Sequence, residues 1–221
     1  MTFEYWGHSI PSTTEERLAL GTALVMVDLQ RDFVHPDGHC GKTLDISGFR
    51  AVMPANRRLV ELARRHRIPI VYTMVTQHRE GAYASARWIA DNLRYPNFEP
   101  KHCIEGSWGW EIDDEVRPQP EDVQLRKYRR SAFEGTNLRE ILRAWHVETL
   151  IVSGVAATGC VDRTVRDAIE KDYFVVVPRD AIGDATSALV EAACETFERL
   201  LLPGDLTTIA DLEKMLASVR G

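Results

Sequence analysis

The chain has 221 residues, 44% hydrophobic and 27% charged, with a formal net charge of -6; such proportions suit one globular domain with a substantial core. No block of Lys and Arg offers a nucleic-acid footprint, and no apolar run approaches the roughly 18 residues that would suggest a membrane span. The opening MTFEYWGHSIPSTTEERLAL lacks a basic segment followed by an apolar core, so a cytoplasmic location is expected.

Residues 22–27, TALVMV, form a short apolar run ending at Asp28, as a buried parallel strand does. Pro54 opens a stretch with Leu59, Val60 and Leu62 on one helical face, and 69–75, PIVYTMV, reads as the next strand. The stretch 78–122 is rich in His, Trp, Pro, Gly and charge and is too long for an ordinary connection. It is expected to form a substrate loop, lid or subunit contact, with surface decoration as the plainer alternative. VQLR at 123–126 supplies a further strand. Asn137 is a candidate helix N-cap, with Glu140 at the capping-box position and Leu138, Ile141, Leu142 and Trp145 forming the stripe behind it. TLIVSG at 149–154, a helix from about Val161 to Glu170, and YFVVV at 173–177 continue the alternation. Ser187–Leu201 reads as helix, TTIA at 207–210 as a last short strand, and the remainder as a terminal helix. Repeated strand-then-helix units predict one three-layer α/β/α domain over 1–221, Rossmann-like, with a mostly parallel six-stranded sheet.

In such a fold, ligands bind beyond the carboxyl ends of the strands. Three chemically capable residues fall there: Asp28 after the first strand, Lys127 after the 123–126 strand, and Cys160 beyond the 149–154 strand, just before a helix. Backbone N–H groups and the helix dipole at that place stabilise a thiolate. Gly154, Ala156, Ala157 and Gly159 leave room for close approach of a ligand to the backbone. Each of the three also admits a plain structural role: Asp28 capping a loop, Lys127 as a solvated strand end, Cys160 as a small hydrophobe.

The other cysteines have weaker settings. Cys194 lies in an apolar helical stretch and reads as core, while Cys40 follows a His/Gly-rich turn with no supporting constellation. With no C-x-x-C pair, neither a zinc ribbon nor a disulfide framework is indicated. No G-x-G-x-x-G or GK[ST] context suggests a nucleotide cofactor, and none is expected.

The pieces LVMVDLQRDF at 24–33, EGSWGWEI at 105–112, RKYRRSAFEGTNL at 126–138 and SGVAATGCVDRTVRDAIEKDYFVVVPRDA at 153–181 carry a resemblance. In order and spacing they resemble the isochorismatase-like cysteine hydrolases, across almost the whole chain. The metal-independent amidohydrolase branch, near the ureidoacrylate, biuret and N-carbamoyl amide hydrolases, matches best. The resemblance implies an Asp28–Lys127–Cys160 triad, with Cys160 the nucleophile, Asp28 its general base and Lys127 holding nearby negative charge. It also implies a cis peptide at Val155–Ala156, which helps aim the N–H groups of Ala156 and Cys160 at an oxyanion. Cys103 sits where the family has a small residue without nucleophilic duty.

The nicotinamidases, nearby relatives, carry an Asp-x-His pair and a later His for a divalent ion after the second strand. Here that stretch reads VTQHREGAYASARW, and the spacing of His35, His39 and His102 supports no ligand set, so no metal is expected. The expected reaction is hydrolysis of a C–N bond in a small linear amide, ureide or N-carbamoyl compound through a thioester. The alternatives are a vinyl-ether hydrolase of isochorismatase type and a catalytically silent binding protein on the same scaffold. Phe33, at a pocket-wall position in the family, and Gln77, beside it, are candidate substrate contacts; Trp110 and Tyr128 are further candidates, with core or interface packing as the alternative. Arg87, Arg94 and Arg129 are possible carboxylate partners, equally readable as solvated charge. Family members commonly form dimers or tetramers, and either is expected here.

Overall fold

Burial on both sides makes TALVMV a strand: in the computed structural model, which describes residues 3–93 and 101–220, every residue of Thr22–Val27 is buried. The chain opens with a hairpin, β1 (Phe3–Tyr5) and β2 (His8–Ile10), turned through Trp6 and Gly7, both at positive φ. Beyond it come β3 (Thr22–Val27), β4 (Ile70–Val75), β5 (Val123–Lys127), β6 (Thr149–Val155), β7 (Phe174–Pro178), β8 (Ile182–Gly183) and β9 (Leu206–Thr207). The helices are α1 (Thr14–Ala19), α2 (Arg31–Val34), α3 (His39–Thr43), α4 (Ser47–Arg50), α5 (Met53–Arg65), α6 (Ala86–Leu93), α7 (Leu138–Ala144), α8 (Asp162–Ile169), α9 (Ser187–Leu200) and α10 (Ile209–Arg220).

Among the described residues, seven strands form the main sheet in the order β5-β4-β3-β6-β7-β9, with β8 beside the end of β6, and every pairing is parallel. The expected six strands become seven because Ile182–Gly183 pairs with Gly154 and Val155. Two residues are too short a run to show a period of two. Alternate side chains of one strand enter opposite layers. Leu24 and Met26 pack with Leu59, Leu62, Leu212 and Leu216 from α5 and α10. Val25 and Val27 pack with Leu142, Val165, Ala168 and Phe197 from α7, α8 and α9.

Strand order runs outward from β3 through β4 and β5 on one side, then restarts through β6 and β7 on the other. The reversal places the switch point between the ends of β3 and β6, where Val27 pairs with Gly154. Gly154 is required there: its φ is +111°, and a Cβ would stand 2.1 Å from the Val27 carbonyl oxygen.

Two local expectations are corrected. Asn137 occupies the N-cap place of α7 without a side-chain cap bond, and Thr136 Oγ1 instead accepts from the Leu138 N–H at 3.2 Å. TTIA at 207–210 is not a strand throughout; β9 stops at Thr207, and Asp180 accepts the Ile209 N–H at 3.0 Å where α10 begins. The long 78–122 stretch divides. Cys103, Ile112, Asp113 and Val116 are buried, and short bridges tie Ile104 to Gln77 and Ile112 to Gln30. By contrast, α6 buries no residue. No helix among the described residues is long and apolar enough to cross a membrane.

Candidate active site

Asp28 ends β3 in the left-handed region, at φ +56°, a conformation that Asp tolerates better than most residues. Its N–H donates to the Thr73 carbonyl at 3.2 Å, and its Oδ1 accepts the Thr73 hydroxyl at 2.9 Å. Lys127, the last residue of β5, brings its Nζ to 2.8 Å from Asp28 Oδ2 with both side chains almost fully buried. That contact is an ion pair rather than an aligned hydrogen bond, since Oδ2 has no hydrogen-bond partner. The ammonium donates instead to the carbonyls of Arg129 and Arg130, at 3.1 and 2.9 Å.

Cys160 approaches this pair from the far side of the switch point, and its half-buried thiol lies near enough to Asp28 and Lys127 for both charges to act on it. It lies in a π-helical turn, Ala157–Val161, leading into α8. The Val155–Ala156 peptide before the turn is cis. The Ala156 carbonyl accepts from Gly159 and Val161 N–H, at 2.9 and 3.2 Å, while Asp184 accepts from both the N–H and the hydroxyl of Thr158 at 2.8 Å.

Burial pushes the Cys160 thiol up to about 12; the Asp28 charge adds to the rise and the Lys127 charge opposes it. The resting group is therefore a neutral thiol. For Lys127, burial favours the neutral amine, but the charges of Asp28 and of an ionised Cys160 outweigh it and raise the ammonium above its ordinary value. With the thiol neutral, Asp28 is the partner that keeps Lys127 charged.

The four candidate substrate contacts fall in two groups. Gln77 and Tyr128 line a cleft over the ends of β4 and β5, together with Tyr83, Trp88, Ile89 and Ile104. Gln77 Nε2 lies 3.2 Å from His102 Nε2, so its amide faces that ring. Phe33 and Trp110 lie outside this cleft. Phe33 packs on His102 with ring centroids 5.5 Å apart, and the Trp110 Nε1–H donates to Thr76 at 3.0 Å. The cleft does not itself contain Asp28, Lys127 or Cys160; it adjoins them through Val75, which pairs with Lys127, and through Tyr128. Arg87 pairs with Asp91 at 3.3 Å, and Arg129 Nη1 donates to the Tyr128 carbonyl at 2.7 Å. Arg94 lies outside the described residues. Among the described residues no three His, Cys, Asp or Glu side chains are grouped to hold a metal ion.

Sequence reasoning missed Thr73 and Asp184. Thr73 carried a usable signal, as a hydroxyl inside the apolar run PIVYTMV; Asp184, in a turn after β8, had none. Tyr83 and Trp88 were hidden in the long stretch whose contacts no local pattern encodes.

An acid, an ammonium and a thiol thus gather at the switch point of a parallel sheet layered between helices. Residues 22–211 match the Isochorismatase domain, and the chain belongs to that family. It is 32% identical to N-carbamoylsarcosine amidase of Arthrobacter sp over 76% of this chain and 62% of that protein, so the match spans less than two thirds of the relative's length. It is 29% identical to the ureidoacrylate amidohydrolase RutB of Azorhizobium caulinodans, over 90% of this chain and 91% of that protein. Among solved structures, an isochorismatase family protein from Desulfovibrio vulgaris superposes with a TM-score of 0.76 at 27% identity, covering 90% of this chain and 99% of that one.

Proposed function

We propose that the protein hydrolyses a C–N bond in a small linear amide, ureide or N-carbamoyl compound through a cysteine thioester, releasing ammonia or an amine. The observation that carries this reading is the buried Asp28–Lys127 pair at 2.8 Å, with the Cys160 thiol within reach of both charges. The relatives named as N-carbamoylsarcosine and ureidoacrylate hydrolases support the choice of an amide-type substrate over a vinyl ether.

Asp28 takes the proton of the neutral Cys160 thiol as sulfur attacks the carbonyl carbon, a general-base step that needs only hydrogen-bond reach. Lys127 offsets the negative charge shared between carboxylate and sulfur. The Ala156 and Cys160 N–H groups donate hydrogen bonds to the oxyanion of the tetrahedral intermediate. Protonated Asp28 then passes its proton to the departing nitrogen, the C–N bond breaks, and the acyl group remains on sulfur. Water, deprotonated by Asp28, attacks the thioester and releases the acid and the free thiol. Phe33, Gln77, Trp110 and Tyr128 are proposed to shape the substrate's position, with Gln77 and Tyr128 doing so from the cleft. No cofactor or metal takes part in this scheme.

The experiment is ammonia release across primary amides, ureides, biuret-like compounds and N-carbamoyl acids, with chelator present and Cys160→Ala alongside. Release by the native protein alone supports the scheme. Equal release by the variant, or by neither protein, contradicts it. We also infer a homodimer or homotetramer, supported by the exposed Tyr5 and Trp6 on the β1–β2 hairpin; light scattering that gives a monomer at micromolar concentration overturns it.

A further inference from the structure

Two residues that hold the Lys127 ammonium also hold the segment that roofs the cleft. Their backbones face inward: Lys127 Nζ donates to Arg129 O and Arg130 O. Their side chains face outward. Arg129 Nη1 donates to the Tyr83 carbonyl at 3.4 Å, and the Arg130 guanidinium pairs with the Asp91 carboxylate. Tyr128, the residue before them, packs against Tyr83 in a tilted ring pair with centroids 4.1 Å apart. Tyr83, Ala84, Trp88 and Ile89 in turn line the cleft.

The 81–93 segment has little else to hold it by burial. α6 contributes no buried side chain, and residues 81–87 are all exposed. Apolar burial is the main force that keeps a surface helix docked, so polar and aromatic attachments place the segment: those to 128–130, and the ring contacts of Tyr83 with His78 and of Trp88 with His102. A rearrangement of the segment therefore acts on Arg129 and Arg130, and through their carbonyls on the ammonium that faces Asp28 and Cys160. Those two groups and the buried Cys103 thiol are the charged and titratable groups that act on Lys127 in the site.

We propose that Arg129 and Arg130 are positioning residues that couple closure of the 81–93 segment over the cleft to the placement of the Lys127 ammonium. What the coupling serves rests on the reaction proposed above; the coupling itself does not need a substrate to be measured. A partly exposed ion pair is worth at most about 1 kcal/mol, so breaking Arg130–Asp91 should release the segment by about two- to fivefold.

The test uses the full chain as Arg130→Asp, Asp91→Arg, the double charge exchange, and Arg130→Lys. Chymotryptic cleavage after Tyr83 and Trp88 reads the segment. The proton–nitrogen resonance of the Lys127 ammonium, assigned by its loss in Lys127→Arg, reads the site. Cleavage should rise about two- to fivefold in each single charge reversal, with the ammonium resonance shifted or broadened in the same proteins. Both should return toward native in the double exchange and stay near native in Arg130→Lys. Faster cleavage with an unmoved resonance would reduce the arginines to mere anchors and overturn the coupling. So would unchanged cleavage, failure of the exchange to restore either signal, or a native ammonium too mobile to resolve. Ammonia release is scored separately: if native protein releases none while both signals respond, the reaction falls and the coupling stands.

Discussion

The Thr73 hydroxyl donates to Oδ1 of Asp28 at 2.9 Å, from the middle of the neighbouring strand β4. It satisfies one oxygen of the carboxylate and leaves Oδ2 facing Lys127 at 2.8 Å. Thr73 thus fixes which oxygen faces Lys127.

Thr73→Val keeps the shape and removes that donor. Leaving a buried acceptor unsatisfied costs about 1–3 kcal/mol, so urea denaturation should show a loss in that range. Amide turnover should fall about tenfold, the equivalent of about 1.4 kcal/mol in the barrier. Thr73→Ser should recover most of both, and a Val variant with native stability and rate would remove Thr73 from the site.

Lys127→Met leaves the Asp28 carboxylate buried without its counter-ion, in a pair whose side chains are 0% and 2% exposed. Breaking a buried pair from one side costs about 3–5 kcal/mol. Adding Asp28→Asn should return a large part of that stability while turnover stays absent. A double variant less stable than Lys127→Met alone contradicts this reading of the pair.

The alkaline limb follows from the raised thiols and ammonium. Cys160 and Cys40 are each pushed from 9.0 to about 12, chiefly by burial, and Lys127 is raised above 10.5. A group whose folded value is raised contributes stability fully present below its unfolded value and lost as pH rises through the folded one. Stability should therefore hold up to about pH 9 and fall between about 9 and 12. Cys160→Ala should flatten part of that decline in denaturation curves at successive pH values; an identical decline would show that this thiol does not contribute.

Asp184 holds the turn that carries Cys160, through the Thr158 N–H and hydroxyl at 2.8 Å each. Asp184→Ala should lower kcat about tenfold or more with KM changed less than about twofold, because misplacing a reacting group by about 1 Å costs up to about a hundredfold. Equal losses in kcat and in native-state stability, with Asp184→Asn no better, would instead mark a purely structural role.

Much of the sheet was legible because parallel strands buried on both faces must be apolar throughout, and TALVMV, PIVYTMV and TLIVSG announce that directly. Asp28, Lys127 and Cys160 stood out as polar or reactive residues where such runs stop. The misses have a common cause. β8 is too short to show a period, the Asn137 cap lost to its neighbour Thr136, and the 207–210 strand yielded at Ile209 to a helix start that Asp180 caps from far along the chain.

The sequence by itself determined the alternation of strands and helices and pointed to Asp28, Lys127 and Cys160 as candidates, because burial and periodicity are local properties of the chain. Only the tertiary structure decided that Thr73 orients Asp28, that Asp184 braces the nucleophile turn, and that Gln77 faces His102. It also decided that Arg129 and Arg130 face the ammonium with their carbonyls and the cleft roof with their side chains. Each is a contact between segments whose meeting depends on strand order, and hydrogen-bond partners across a sheet leave no spacing in the chain to read.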